Sequence, residues 1–508
     1  MKAEAQRPPL PASLLVTVWS SALLLRAVAA ARCESLTPDG AVDLAQARAW
    51  SAGDLHGALD PGFSPLLGAL SGGLHRLLGV PLEATALVLV VLGSSLVAPA
   101  AACAAADLWP RAARRAAFAA GMLAAVQPYL VRLGGQVMGY GLAHGLVAVA
   151  AALTVRALVR DSARSAGAAG AVLGLGFLAR ADALTSGAGL GLALVVCGRK
   201  RGPQLLAFGL AALLVATPYL LLLRWHHGEW RLSGRKTVAR LTGPTPTSLG
   251  TPPPETLRAL VAEEAVGDEG RPRTPTPIGG WWGATTYAVG KVASAAVLPL
   301  LLLALAGAAL SRAPPAHAWA LATFLVGQIL LRANYGYTGR THASGAAALV
   351  PPLAAVTWAA IPWRRLGARR GRRLAVLSLA CLCVALLPKA LDPQQAGRGP
   401  QAEVGAWVRA ELGDGPREVW GIDARVVAHY AGASYRDTPT LAPEDLVAQA
   451  RGARVRLLVV ALRHRAPRPG ALDEALQAAG AARIDPGFAS QVGKTHYRWL
   501  VFRLPGSG

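Results

Sequence analysis

Three stretches of this chain place charged groups where apolar segments end. The first runs from Arg32 to Gly79, follows the first apolar segment and carries Asp39 in a Pro38-Asp39-Gly40 turn, with Asp43 and Asp60 further on. The second is Arg180-Ala181-Asp182, which divides two short apolar runs, and the third is Arg340-Thr341-His342, which opens another. Ionisable groups at a membrane are costly and usually functional. A carboxylate can orient an acceptor hydroxyl and take its proton. Arginine, with its fork of donors, suits a phosphate. Each group also has a structural reading. Asp39 could be the N-cap of the helical pattern that follows it. Arg180 and Asp182 could form a local ion pair capping two helices, and Arg340 could snorkel to the interface. Asp43 and Asp60 could be ordinary surface residues.

The elements that must position these groups are membrane-like. Hydrophobic residues make up 53% of the 508 residues and charged residues 16%, against roughly 25% charged in an ordinary soluble domain. Mean hydropathy is +0.39 and the pI about 10.9. The net charge of +23 does not make a nucleic-acid surface, because the basic residues fall in clusters between apolar segments. A helical span needs roughly 17–25 apolar residues. Runs at 11–31, 82–104, 112–131, 136–158, 165–180, 182–198, 204–223, 287–310, 317–332, 342–362 and 373–391 predict a mainly α, polytopic transmembrane helical bundle of about 11 spans. The fifth and sixth runs read either as two spans with a tight turn or as one broken hairpin.

Basic residues set the orientation. With the N-terminus inside, inner connections carry Lys2 and Arg7, then Arg111, Arg114 and Arg115, then Arg156, Arg160 and Arg164. Arg199, Lys200 and Arg201 follow, then Arg312, then the six arginines from Arg364 to Arg373. The short outer connections hold only Arg132, Arg180, Arg332 and Arg340. The positive-inside rule then predicts a multi-pass protein of the cell (inner) membrane with a cytoplasmic N-terminus. It puts the Asp39 loop, the 224–286 segment and the C-terminal tail outside. Ala27-Val28-Ala29 behind Lys2 and Arg7 also suits a cleaved signal peptide, which leaves the later topology unchanged. The five cysteines are scattered, with neither metal spacing nor a disulfide framework.

The outer segment 224–286 is rich in Pro and Gly, and Trp281, Trp282 and Tyr287 close it as an aromatic belt or as contacts to a lipid chain. After about residue 392 the pattern changes. Helices are expected at 403–412, 425–430, 443–452 and 471–478, and strands at 418–422, 456–462 and 497–504, which makes a small C-terminal α/β layer domain. No Gly-rich phosphate loop follows a strand, so this domain is expected to help fold or cover a site.

The stretch TPDGAVDLAQARAWSAGDLHGALDPGFSPLLGAL resembles the first external loop of the polytopic GT-C glycosyltransferases, the group of the protein O-mannosyltransferases and lipid A aminoarabinose transferases. Gly40 stands where that pattern has a second acidic residue, and Asp43 near a common tyrosine position. AVQPYLVRLGGQVMGYGLAHGL is similar to the Val-Met element of the family, with Tyr140 at the glutamate position and His144, more often a packing residue than a ligand, close by. GFLARADAL resembles its Arg-Pro-Glu element, with Ala181 for the proline and Asp182 for the glutamate. NYGYTGRTHASGAAALVPPLA resembles a span opened by an Arg-Tyr or Arg-His pair, here Arg340 and His342.

The resemblance implies a GT-C-like domain over 1–391, with external loops 32–81 and 224–286, and an extracytoplasmic α/β domain over 392–508. It implies a glycosyltransferase moving a sugar, with inversion, from a polyprenyl-phosphate-linked donor to a glycan, lipid or protein acceptor on the extracytoplasmic face. Asp39 would be the catalytic base. Arg340 and Arg180 would hold the donor phosphate, and Asp43, Asp182, Tyr140 and His342 would line the acceptor side. Membrane lipids are implied as partners and nucleic acid is not. No cofactor is expected and no metal ligands are assigned, with a divalent metal left open. The departures at Gly40 and Tyr140 keep a second reading, a non-catalytic GT-C-like membrane protein or a transporter of lipid-linked glycans. A transporter would be expected to show paired internal repeats, and no sequence repeat is apparent.

Overall fold

The loop behind the first apolar helix is itself helical. Helix α1 (Ala12–Ala31) starts directly after Pro11. It is followed by α2 (Pro38–Ala52), α3 (Leu55–Leu59) and α4 (Pro65–Leu78). Pro65 opens α4 and Gly79, at φ 68°, closes it, the start and stop these residues favour. The computed structural model describes residues 9–59, 63–233, 236–237, 350–361, 367–393, 399–413, 418–422, 424–438, 441–453, 455–464, 471–484, 489–492 and 495–504. The runs expected at 287–310 and 317–332 lie outside these residues, as do Asp60, Arg340 and His342.

The apolar helices come next: α5 (Leu82–Ser95), α6 (Val97–Leu108), α7 (Ala113–Val126), α8 (Pro128–Gly134), α9 (Gly139–Arg160), α10 (Ala163–Ala179), α11 (Ala183–Cys197) and α12 (Arg201–His227). A short antiparallel pair, β1 (Arg231–Ser233) with β2 (Lys236–Thr237), follows them. Beyond the undescribed segment stand α13 (Val350–Ala360) and α14 (Ala368–Ala390). Among the described residues, five helices are long and apolar enough to cross a membrane: α1, α5 with α6, α9, α12 and α14. Counting the bent pair α7–α8 as one span makes six, and α10, α11 and α13 are shorter apolar helices. The chain is therefore a membrane protein, and the described residues, which leave out the runs at 287–310 and 317–332, do not test the count of about eleven spans. The 57° bend between the segment ending at Val126 and α8 falls at Gln127, which leaves helical geometry ahead of Pro128 as a residue before proline tends to.

The chain divides into two compact units, one of residues 1–32, 46–241 and 277–392, the other of 33–45, 242–276 and 393–508. The boundary falls inside α2.

In the first unit, glycines mark the seams. A Cβ on Gly145 of α9 would collide with the Gly93 carbonyl of α5, and one on Gly170 of α10 with the Phe208 carbonyl of α12. Gly141 and Gly174 repeat the contact one turn away on α9 and α10. Small residues four apart let helix backbones approach where the surrounding lipid gives no hydrophobic drive. Two turns lie at one end of this helix group. Asp161, closing α9 in the left-handed region at φ 53°, accepts from the Lys200 amide (3.3 Å) and from Gln204 Nε2 (3.2 Å) beside the α11–α12 turn. The α10–α11 joint at Arg180-Ala181-Asp182 is thus at the opposite end. Of the two readings of this region, the structure has two helices with a tight turn. Arg26 of α1 is fully buried. Its Nη1 donates to the carbonyls of Ala22 (3.1 Å) and Ala125 (3.3 Å), the latter just ahead of the bend.

The second unit is built on a mixed sheet of six strands: β3 (Glu418–Ile422), β4 (Ser434–Asp437), β5 (Leu457–His464), β6 (Ala482–Ile484), β7 (Ala489–Val492) and β8 (Thr495–Arg503). Their order is β4-β3-β5-β8-β6, with β7 also on β8. β3 pairs parallel with β4 and β5, and β8 is antiparallel to its neighbours. Alternation along the strands divides the core. Val419, Leu457, Val459, Trp499 and Val501 pack with Val404, Val408, Val427 and Ala431 of α15 (Pro400–Leu412) and α16 (Arg425–Ala431). Trp420, Leu458, Val460, Leu500 and Phe502 pack with Leu446, Ala450 and Leu476 of α17 (Pro443–Gly452) and α18 (Ala471–Ala478). The sheet is therefore buried on both faces, which suits its near-continuous apolar strands.

Candidate functional site

Asp39 is not in a turn and is not a cap. The Thr37 hydroxyl accepts from the Gly40 amide at 2.9 Å, and the Ala41 amide bonds the Thr37 carbonyl at 3.0 Å. Thr37 is thus the N-cap of α2, Pro38 its first residue and Asp39 its second. Proline tolerates that first position because its missing N–H would be unpaired there. The expected Pro-Asp-Gly turn is instead the first turn of the helix, and the structural reading of Asp39 as cap is filled by another residue. A carboxylate in the first turn is favoured by the helix dipole. Asp43 lies one turn on, so both carboxylates share a face at the spacing where side chains meet. Asp39 is half-buried and Asp43 is 3% exposed.

The approach to α2 is held within its own unit. The Ser35 hydroxyl donates to Gln401 Oε1 at 2.8 Å with both residues buried, and the Leu36 amide donates to the Tyr430 hydroxyl at 3.3 Å. No sequence signal joins Ser35 to Gln401. A Thr-Pro pair opening a helix is the available cue for the cap.

The other unit brings together Tyr140, Arg180 and Asp182. The Arg180 guanidinium carbon lies 3.4 Å above the centre of the Tyr140 ring. Arg180 Nε donates to Asp182 Oδ1 at 3.2 Å, with side chains 15% and 20% exposed. Arg180 is in extended backbone between the two helices, where it ends α10. Asp182 stands at the cap position of α11 and makes no capping side-chain hydrogen bond. The pair is therefore an ion pair, as one reading held, without the capping role. A Cβ on Gly139 would sit 3.3 Å from Arg180 Cγ, so the start of α9 hugs the arginine stem. His144 is buried one turn along α9, its ring 6.0 Å from that of Tyr140. Tyr140 is 3% exposed and serves as the platform of the arginine. Stacking of this kind is worth about 0.5–2 kcal/mol and leaves the positive charge in place.

Arg340 and His342 are not among the described residues. Among the described residues no three His, Cys, Asp or Glu side chains form a metal-holding group.

No family model and no curated protein sequence matches the chain. Solved structures do. ArnT from Cupriavidus metallidurans, solved bound to undecaprenyl phosphate, is 14% identical, with TM-score 0.61 over 97% of this chain and 98% of that one. The oligosaccharyltransferase of Archaeoglobus fulgidus, in complex with Zn and sulfate, is 13% identical, with TM-score 0.59 over 96% and 73%. The mycobacterial arabinofuranosyltransferase AftD is 16% identical, with TM-score 0.56 over 98% of this chain and 40% of that one. The chain has the GT-C fold shared by these membrane glycosyltransferases, as its loop and span motifs led one to expect.

Proposed function

We propose that this protein is a multi-pass inner-membrane glycosyltransferase that moves a pentose or hexose from a polyprenyl-phosphate carrier to an acceptor hydroxyl on the extracytoplasmic face. The observation that carries the reading is end-to-end similarity in fold to ArnT, solved with undecaprenyl phosphate. Asp39 takes the proton of the acceptor hydroxyl as its oxygen bonds the anomeric carbon. The bond from that carbon to the phosphate oxygen breaks, and its electron pair leaves on the lipid phosphate. Attack opposite the departing phosphate inverts the anomeric centre. Arg180 and Arg340 hold the phosphate and offset the charge that develops on it. Asp43, Asp182, Tyr140 and His342 line the acceptor side. The acceptor is a glycan, a lipid or a protein.

The reading includes transfer without a cofactor and without an obligatory metal. It is tested by comparing lipid-linked products in cells with and without the gene, then by incubating purified protein with undecaprenyl-phosphate-linked pentoses and hexoses, with and without EDTA. Release of undecaprenyl phosphate dependent on acceptor and unaffected by EDTA is the expected result. Unchanged products in both settings would refute the assignment, and EDTA-sensitive release would refute its metal-free part.

A further inference from the structure

The loop that carries Asp39 belongs to the same compact unit as the C-terminal α/β domain, although more than 350 residues of sequence separate them. Three contacts make the join. The Ser35 hydroxyl donates to Gln401 near the start of α15, and the Leu36 amide to the Tyr430 hydroxyl near the end of α16. A Cβ on Gly399 would lie 3.9 Å from Glu34 Oε2, so this carboxylate sits beside the N-terminus of α15, the end that favours an anion. The next residue in the loop, Thr37, caps the helix that bears Asp39.

The receiving side is rigid. Gly405 of α15 lets α16 approach so closely that a Cβ there would collide with Tyr430 Cβ. Arg409 Nη2 donates to the Tyr430 carbonyl at 2.6 Å and Nε to the Ala431 carbonyl at 3.3 Å. The Tyr430 backbone is thus fixed from two directions, and its hydroxyl meets the chain three residues before Asp39. A base must sit within hydrogen-bond reach of the proton it takes, and a displacement of 1 Å can cost roughly 100-fold in rate.

We infer that Gln401 and Tyr430 are positioning residues, through which the C-terminal domain sets the place of Asp39. This rests on the reading of Asp39 as base. The domain would then contribute to turnover without touching substrate.

The test uses full-length purified protein and three single variants, Tyr430→Phe, Gln401→Leu and Ser35→Ala, the last approaching the contact from the loop side should a domain variant fold poorly. Each is measured alone and combined with Asp39→Asn. Transfer is followed from the undecaprenyl-phosphate-linked sugar identified by the product analysis, and binding is followed with undecaprenyl phosphate alone. Loss of one such hydrogen bond should lower kcat by about 2- to 12-fold, with lipid phosphate affinity unchanged. In the Asp39→Asn background the same changes should lower kcat no further. Hydrogen exchange at the Leu36 and Gly40 amides should quicken in Tyr430→Phe. A loss that recurs in full in the Asp39→Asn background would mark a general structural effect and overturn the positioning role. So would wild-type kcat in all three variants when Asp39→Asn is itself impaired. Near-normal turnover in Asp39→Asn would overturn the base assignment and the positioning role with it, a result distinct from the other two.

Discussion

If Arg180 holds the donor phosphate, its removal should be felt first in lipid phosphate binding, before any sugar is transferred. The guanidinium is tethered twice, by Asp182 at Nε (3.2 Å) and by the Tyr140 face at 3.4 Å. Hydrogen bonds to charged groups contribute about 1.5–3 kcal/mol, and about 1.4 kcal/mol is tenfold in affinity. Arg180→Ala should therefore weaken undecaprenyl phosphate binding by about 10- to 150-fold. Tyr140→Leu removes the stack, worth about 0.5–2 kcal/mol, and should cost about 2- to 30-fold. Tyr140→Phe keeps a ring face and should stay within about twofold. Asp182→Asn removes a competing anion and should bind as tightly as wild type or more tightly. The assay is titration of purified protein in detergent with undecaprenyl phosphate, read as direct binding and as the ligand-dependent rise in unfolding temperature. Wild-type affinity in a folded Arg180→Ala protein would refute the phosphate assignment. Equal losses in Tyr140→Phe and Tyr140→Leu would refute the stack as its support, since the hydroxyl would then be the group that matters.

Other expectations follow from the same geometry. Asp39→Asn should lower turnover by about 100- to 10,000-fold, with undecaprenyl phosphate affinity and membrane accumulation unchanged; near-normal turnover would end its role as base. Gly145→Val should abolish stable accumulation in the membrane, because the Gly93 carbonyl occupies the space its side chain needs, whereas Gly73→Ala meets nothing within 4 Å and should accumulate normally. Reporter fusions after Arg201 and Arg373 should read inside, and fusions near Gly270 and after Pro400 outside; a cytoplasmic C-terminal domain would remove the proposed external site.

How much of the fold is legible in the sequence depends on the distance over which each feature is determined. Pro65 to Leu78, opened by its own proline and followed by Gly79, reads as an amphipathic run and is a helix with those bounds. The strands at 418–422 and around 456–462 are visible as apolar runs between turn residues. The short strands β4, β6 and β7 are not, since they are three or four residues long and are set by pairing with neighbours rather than by their own pattern. Alanine and glycine blur the span boundaries for a related reason. Gly141, Gly145, Gly170 and Gly174 serve helix contacts, and a residue chosen for close approach weakens the hydropathy signal of its own helix. Arg26 escapes a reading of the sequence because, besides the Ala22 carbonyl four residues back, it meets the Ala125 carbonyl 99 residues away.

The site shows the same limit more sharply at Tyr140. Read by resemblance, a tyrosine at a glutamate position is a lost acid and an argument for an inactive relative. In three dimensions the ring lies beneath the Arg180 guanidinium, which already has a carboxylate in Asp182. A second carboxylate there would add a negative charge beside the Arg180–Asp182 pair. A phosphate approaching it would meet repulsion. The aromatic face instead holds the guanidinium through its quadrupole and leaves the Arg180–Asp182 pair near neutral. The departure thus changes how the arginine is held. A Tyr140→Glu variant separates the two views. If the tyrosine is a lost acid, the change should restore or raise transfer. If it is the platform of Arg180, the added negative charge should weaken undecaprenyl phosphate binding by at least as much as Tyr140→Leu, and higher transfer in that variant would overturn the platform role.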